Sequence, residues 1–212
     1  MTMTIDIETL VADLQPVRPV DPRGGALLAV AAFAVTGAVV AAFFGLRPDI
    51  VAGDPHPMVM MREGMLLILG FASLAAVIAS ARPGVGQSST GWRWALAAAL
   101  LFPLISIGLS ANNGGFPVEV LFWVDGPYCL AISISGGLLI GGALALWLRR
   151  GAPTALNRMG WLVGLTAGSF GTFAYGLHCA SITVFYVGLW YTAAVALCAL
   201  LGRLIVPRLI RW

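Results

Sequence analysis

Six stretches of about twenty apolar residues, parted by short polar breaks, leave this chain few folds to adopt. Lipid offers the backbone no hydrogen-bond partner, so each stretch must close its own bonds as a helix. The stretches fall at 26–46, 64–81, 92–110, 128–148, 160–177 and 182–201. The expectation is an all-α integral membrane bundle of six transmembrane helices. Composition agrees: 59% of the 212 residues are hydrophobic, 10% are charged, and the mean hydropathy is +0.93. With these boundaries no acidic residue lies within a span and the one basic residue is Arg93, at the very edge of the third, which argues against a proton- or ion-coupled transporter.

Orientation follows from the arginines, since all twelve basic residues are arginine. Arg18, Arg23, Arg82, Arg93, Arg149, Arg150, Arg158, Arg203, Arg208 and Arg211 fall on one side of the predicted bundle. Only Arg47 and Arg62 fall on the other. Basic residues collect on the cytoplasmic side, so both termini are expected in the cytoplasm. Trp92, Trp94, Trp147, Trp161 and Trp212 lie at the same boundary, where indoles prefer to sit. The first 25 residues are polar and carry four acids, unlike a cleavable signal peptide.

Two units are expected: a tail over 1–25 and a transmembrane domain over 26–212. Within the tail, Ile7, Leu10, Val11 and Leu14 recur at the spacing of one helical stripe. Thr4 can cap this short amphipathic helix, Asp6 and Glu8 suit its first turn, and Pro16 stops it. Its other face is acidic and would be repelled by anionic headgroups, so the stripe points to a protein partner. The run Pro16-Val-Arg-Pro-Val-Asp-Pro22 is a stiff spacer leading to the bilayer. In the long outer loop, Asn112-Asn-Gly-Gly115 reads as a turn. Residues 116–124, apolar except for Glu119, read as a short helix in the interface.

Small residues recur four apart in the fourth span, at Ser133, Gly137, Gly141 and Ala145. The fifth carries Gly160, Gly164 and Gly168, then Thr172 and Gly176. Such stripes let helices approach closely, and packing accounts for the glycines. Cys129 lies four residues before Ser133 and Cys179 three after Gly176. Both cysteines thus prolong the stripes at the outer end of an antiparallel pair. They form a candidate sensing site and candidate ligands for a soft metal, with His178 placed to tune the thiol or join it. The competing reading is that both are small buried helix residues. Cys198, in mid-span, reads as packing. His56, between two prolines, needs no function. Met58, Met60, Met61 and Met65 read either as a soft-metal or oxidant site or as apolar filler. No catalytic constellation is visible, so the chain is not expected to be an enzyme. No resident cofactor is expected either, beyond a soft metal ion acting as a signal.

Three regions resemble a known family. They are Leu10-Val-Ala-Asp-Leu-Gln-Pro-Val17; Gly176-Leu-His-Cys179 before Phe185 and Trp190-Tyr191; and Leu201-Gly-Arg-Leu204 through Leu209-Ile-Arg-Trp212. Together with six spans they resemble the NrsF-like membrane anti-sigma factors. The resemblance implies a multi-pass protein of the bacterial inner membrane that sequesters a sigma factor of the extracytoplasmic-function class. It would release that factor in response to metal or oxidative stress, sensed at outward cysteines that correspond to Cys129 and Cys179. It implies contact with lipid and a sigma factor, and none with nucleic acid directly. A membrane metal-binding protein or transporter subunit with no sigma-factor partner is the alternative, and a structural subunit of a larger complex a third.

Overall fold

The computed structural model describes residues 21–81, 91–112, 115, 117–151, 153 and 155–210. The predicted tail helix, with Ile7, Leu10, Val11 and Leu14, lies outside them. Among the described residues there are helices and turns and no strand. Six long helices follow one another: α1 (Pro22–Phe44), α2 (Pro57–Ser80), α3 (Gly91–Asn112), α4 (Asp125–Leu148), α5 (Leu156–Gly176) and α6 (Val184–Leu209). A single turn, Pro48–Val51, follows α1, and a 3-10 turn, Val118–Phe122, precedes α4. That 3-10 turn is the short element expected over 116–124.

Four helices, α1, α2, α4 and α6, are long and apolar enough to cross a membrane. Helix α5 is long enough at 21 residues, but its glycines, serine and threonines dilute its apolarity. Position explains the dilution. Helix α5 is central, packed against α6, α4 and α2, and nearly every residue of its last four turns is buried. A helix sheathed by other helices meets no lipid, so small residues that admit neighbours serve it better than large apolar ones.

Helix starts follow local rules. Asp21 caps α1 by accepting from the backbone N–H of Arg23 and Gly24, with Pro22 in the first turn. His56 caps α2 in the same way through Met58 N–H, again followed by a proline. The Trp147 indole lies over Gly25 and donates to the Asp21 carbonyl at 3.2 Å, joining the start of α1 to the end of α4. Phe170 of α5 fills the space above Gly70 of α2 and stacks on Phe33 of α1 at 4.6 Å. Between the same two helices, Ser73 Oγ and Thr166 Oγ1 lie 3.0 Å apart, a contact worth about 1 kcal/mol in an apolar setting.

The small-residue stripes divide differently from the expected pairing. Gly160, Gly164 and Gly168 face α6, where an added Cβ at Gly164 would come within 2.6 Å of Ala199 Cα. Gly202 on α6 faces Gly160 and Gly164 in return. Helix α4 meets α5 through Gly137 and Gly141 against Ala167, and through Gly171 against Ser133 and Gly137. Stepping four residues rotates the stripe by about 40° each time, so one glycine series cannot serve one neighbour along its whole length. Cys198 lies within this seam beside Gly137 and Gly168, consistent with a packing role.

A second correction concerns charge inside the spans. Helix α2 begins at Pro57, seven residues before the expected boundary at 64, and so includes Arg62 and Glu63. Both are buried, Arg62 completely. The bundle therefore does enclose charges within a membrane-length helix, and the absence of charge no longer argues against ion coupling.

Candidate functional site

The site is built on a helix end that cannot satisfy itself. Helix α5 stops at Gly176, and the chain runs through 177–183 before α6 begins. Helix termini leave their last carbonyls without intrahelical partners. Here only the first few are used locally, when His178 and Cys179 N–H donate to Tyr175 O at 2.9 and 3.0 Å. The carbonyls of Gly176, Leu177, Cys179 and Ser181 take donors from elsewhere.

Those donors come from the two arginines at the arginine-poor end. Arg62 donates through Nη2 to Gly176 O at 2.8 Å and Cys179 O at 3.0 Å, and through Nη1 to Ser181 O. Its Nε donates to Glu63 Oε1 at 2.9 Å. Its guanidinium lies 5.2 Å from the centre of the Tyr191 ring on α6. Arg47 donates through Nη1 to Cys179 O, and its backbone N–H donates to Leu177 O at 3.0 Å. A cation at a helix C-terminus also suits the negative end of the macrodipole. Glu63 needs Gly176 to be glycine, since an added Cβ there would lie 2.7 Å from Glu63 Cδ.

Arg47 is itself held by Asp49, Nε to Oδ1 and Nη2 to Oδ2, both 2.9 Å. Asp49 also accepts from the N–H of Ile50 and of His56, at 3.0 and 3.2 Å, which folds the connection between α1 and α2 around one carboxylate. The Arg47 hydrogen bonds hold the Asp49 carboxyl well below its usual range, and those two backbone donors add to the effect. The sign follows from the direction. A lowered value stabilises the fold fully above an unfolded carboxyl's pKa of about 4, and that contribution is lost as pH falls through the lowered value. Thermal unfolding in detergent micelles should therefore lose stability below about pH 4, and Asp49→Asn should lack that component of the pH profile.

Cys129 and Cys179 are free thiols, both buried in one apolar cluster with Leu66, Leu69, Val120, Tyr175, Tyr186, Val187 and Tyr191. Helix α4 thus brings Cys129 and the turn after α5 brings Cys179 to the same end and the same cluster. The start of α6 holds both sides together. Tyr186 donates to Asp125 O at 3.1 Å, and Trp190 covers Gly126 and donates to Val120 O at 3.0 Å. Residues Val187–Tyr191 form a π turn within α6, an insertion often found where helices serve function.

His178 is placed differently. Its Nδ1 lies 3.2 Å from Gly45 O, and its ring packs against Phe44 and Tyr175, which anchors the turn to the end of α1. Gly45 sits there at φ 80°, a backbone that favours glycine. No group of three or more His, Cys, Asp or Glu side chains that could hold a metal occurs among the described residues. Met58 and Met65 pack against the cysteine cluster, whereas Met60 and Met61 are exposed, so the four thioethers do not converge. Sequence reasoning passed over Arg47, Arg62 and Glu63. The available signal was that two arginines stand alone at the arginine-poor end, one of them beside an acid at a span boundary.

Comparison with known proteins decides the family. The family model for NrsF, described as negative regulator of sigma F, matches residues 10–212. The chain belongs to the NrsF family. An anti-sigma-F factor NrsF of Caulobacter vibrioides is 30% identical over 97% of this chain and 97% of its own length. A probable anti-sigma-F factor NrsF of Azospira oryzae is 26% identical over 81% of this chain and 80% of its own. No solved structure matches. The NrsF family is regulatory and not enzymatic, which agrees with the lack of catalytic groups read from the sequence. The Gly176–Cys179 and Trp190–Tyr191 segments that carried the resemblance are the ones clamped by Arg62 and docked on α4.

Proposed function

We propose that this chain is a multi-pass inner-membrane anti-sigma factor with six spans and both termini in the cytoplasm. It holds a sigma-F-like factor of the extracytoplasmic-function class through its tail and releases it when the Cys129–Cys179 site is modified. What carries the reading is that the family match runs from residue 10 in the tail to residue 212. The arginine asymmetry supports the orientation, and the shared burial of the two thiols supports the switch. Two thiols with no third His, Cys, Asp or Glu ligand among the described residues suit an oxidisable dithiol, or a soft ion that two thiolates can bridge, better than a four-ligand structural zinc site.

Magnitude limits the switch. Turning a 99:1 bound state into 1:99 takes about 5.5 kcal/mol. One disulfide supplies about 2–4 kcal/mol, so oxidation alone would move only an equilibrium already poised near release. Cys129→Ser and Cys179→Ser are each expected to blunt induction of the target genes by a soft metal salt or a thiol oxidant. The double variant should be no worse than either single one, and Cys198→Ser should respond like wild type. Independent, additive effects would place the trigger elsewhere.

The tail makes a separate prediction. Leu10→Asp would bury an unpaired charge in a helix-in-groove contact, costing about 3 kcal/mol, or on the order of 100-fold in affinity. Target genes should then be expressed constitutively while the membrane protein stays at its normal level. Silence at normal protein levels would remove the tail as the anchor. A protein that binds metal but retains no sigma factor on purification would favour the alternative reading.

A further inference from the structure

A completely buried guanidinium is an expensive way to fill space, because desolvation opposes it and an apolar residue would pack as well. What an apolar residue could not do is tie together the parts that Arg62 touches. These are Glu63 on α2, the carbonyl of Gly176 at the end of α5, the carbonyls of Cys179 and Ser181 in the turn, and the Tyr191 ring in the π turn of α6. Arg47 shares the Cys179 carbonyl, but its other side-chain partner is Asp49. Arg47 therefore braces the turn, while Arg62 joins it to the next helix.

We propose that Arg62, oriented by Glu63, is the positioning residue that makes the Cys179 turn and the π turn of α6 move as one body. A displacement of Cys179 draws the guanidinium along with its carbonyl, and the guanidinium carries the Tyr191 ring with it. A π turn can shift its extra residue along the helix, which gives α6 a place to take up the movement. Only this final relay, from α6 towards the far end, rests on the signalling role proposed above. The clamp stands on geometry alone.

The test is the rate at which N-ethylmaleimide labels each cysteine of the full-length protein in detergent micelles, resolved by mass spectrometry. Arg62→Lys keeps a cation beside Glu63 but cannot reach three carbonyls at once. It should label Cys179 about tenfold faster by easing local opening, with Cys198, in the α4–α5–α6 seam, unchanged. Arg47→Lys should raise the Cys179 rate by less than about threefold. Tyr191→Leu should also speed Cys179 labelling, and the Arg62→Lys/Tyr191→Leu double variant should be no faster than the faster single one. An unchanged Cys179 rate in Arg62→Lys overturns the proposal. So does an equal rise at Cys198, which would mean general loosening, or additive effects in the double variant. No sigma factor is present in these measurements, so they stand or fall apart from the expression results. In cells, fast Cys179 labelling with wild-type silencing and induction would overturn the relay to α6.

Discussion

Arg62→Ala is expected to destabilise the protein by about 3–5 kcal/mol, the usual cost of breaking a buried pair and stranding its partner. Glu63 would lose its one ion-pair partner among the described residues, where its Oε2 already lacks a hydrogen-bond partner. The carbonyls of Gly176 and Ser181 would lose the Arg62 donor in the same step, while Cys179 O would keep Arg47. Such a loss lowers Tm by on the order of 10 °C in a chain of this length, read by thermal unfolding in micelles. Arg62→Lys should fall between, because it retains charge opposite Glu63. A wild-type Tm for Arg62→Ala would mean that the guanidinium is not buried among these partners.

The second large effect is expected at the α5–α6 seam. Gly164→Val places a branched side chain where even a Cβ would come within 2.6 Å of Ala199 Cα. The obstacle is backbone, which cannot rotate away as a side chain can, so the helices must separate. Overpacking costs about 1–3 kcal/mol where side chains can yield, and this site should sit at or above the upper end. Gly202→Val meets the same wall from the other helix, with Gly164 Cα 2.7 Å from its added Cβ. Gly142→Ala is the internal comparison. No atom lies within 4 Å of its added Cβ, so helix propensity should leave it neutral or up to about 1 kcal/mol more stable. Equal Tm values for Gly164→Val and Gly142→Ala would refute the close approach.

Charge rules and apolar length were legible before any coordinates, because the hydrophobic effect and backbone hydrogen bonding act on composition over a window of residues. Every long helix lies within a few residues of its expected span except the start of α2 and the end of α6, which runs eight residues past 201 to Leu209. The α2 boundary was missed because an arginine and a glutamate read as loop residues until a partner is known. The carbonyls that accept from Arg62 lie more than 110 residues along the chain. Cys129 and Cys179 could be placed at one end from their spacing, but not in one cluster, because helix rotation is set by neighbours and not by period. The glycine stripe of α5 was visible as a stripe, yet its partner was not, since Gly164 fits α4 or α6 equally well until the bundle closes.

The sequence by itself determined a helical chain with membrane-length apolar stretches, an arginine-poor end, and family membership carried by its motifs. Tertiary structure alone decided that α5 is the central helix and that α6 covers Gly160, Gly164 and Gly168. It also decided that the two exceptions to the arginine asymmetry are structural cations. The physical reason is common to all three. Apolar length and charge bias are sums over local residues, whereas a buried guanidinium is tolerable only where distant carbonyls and a carboxylate converge on it.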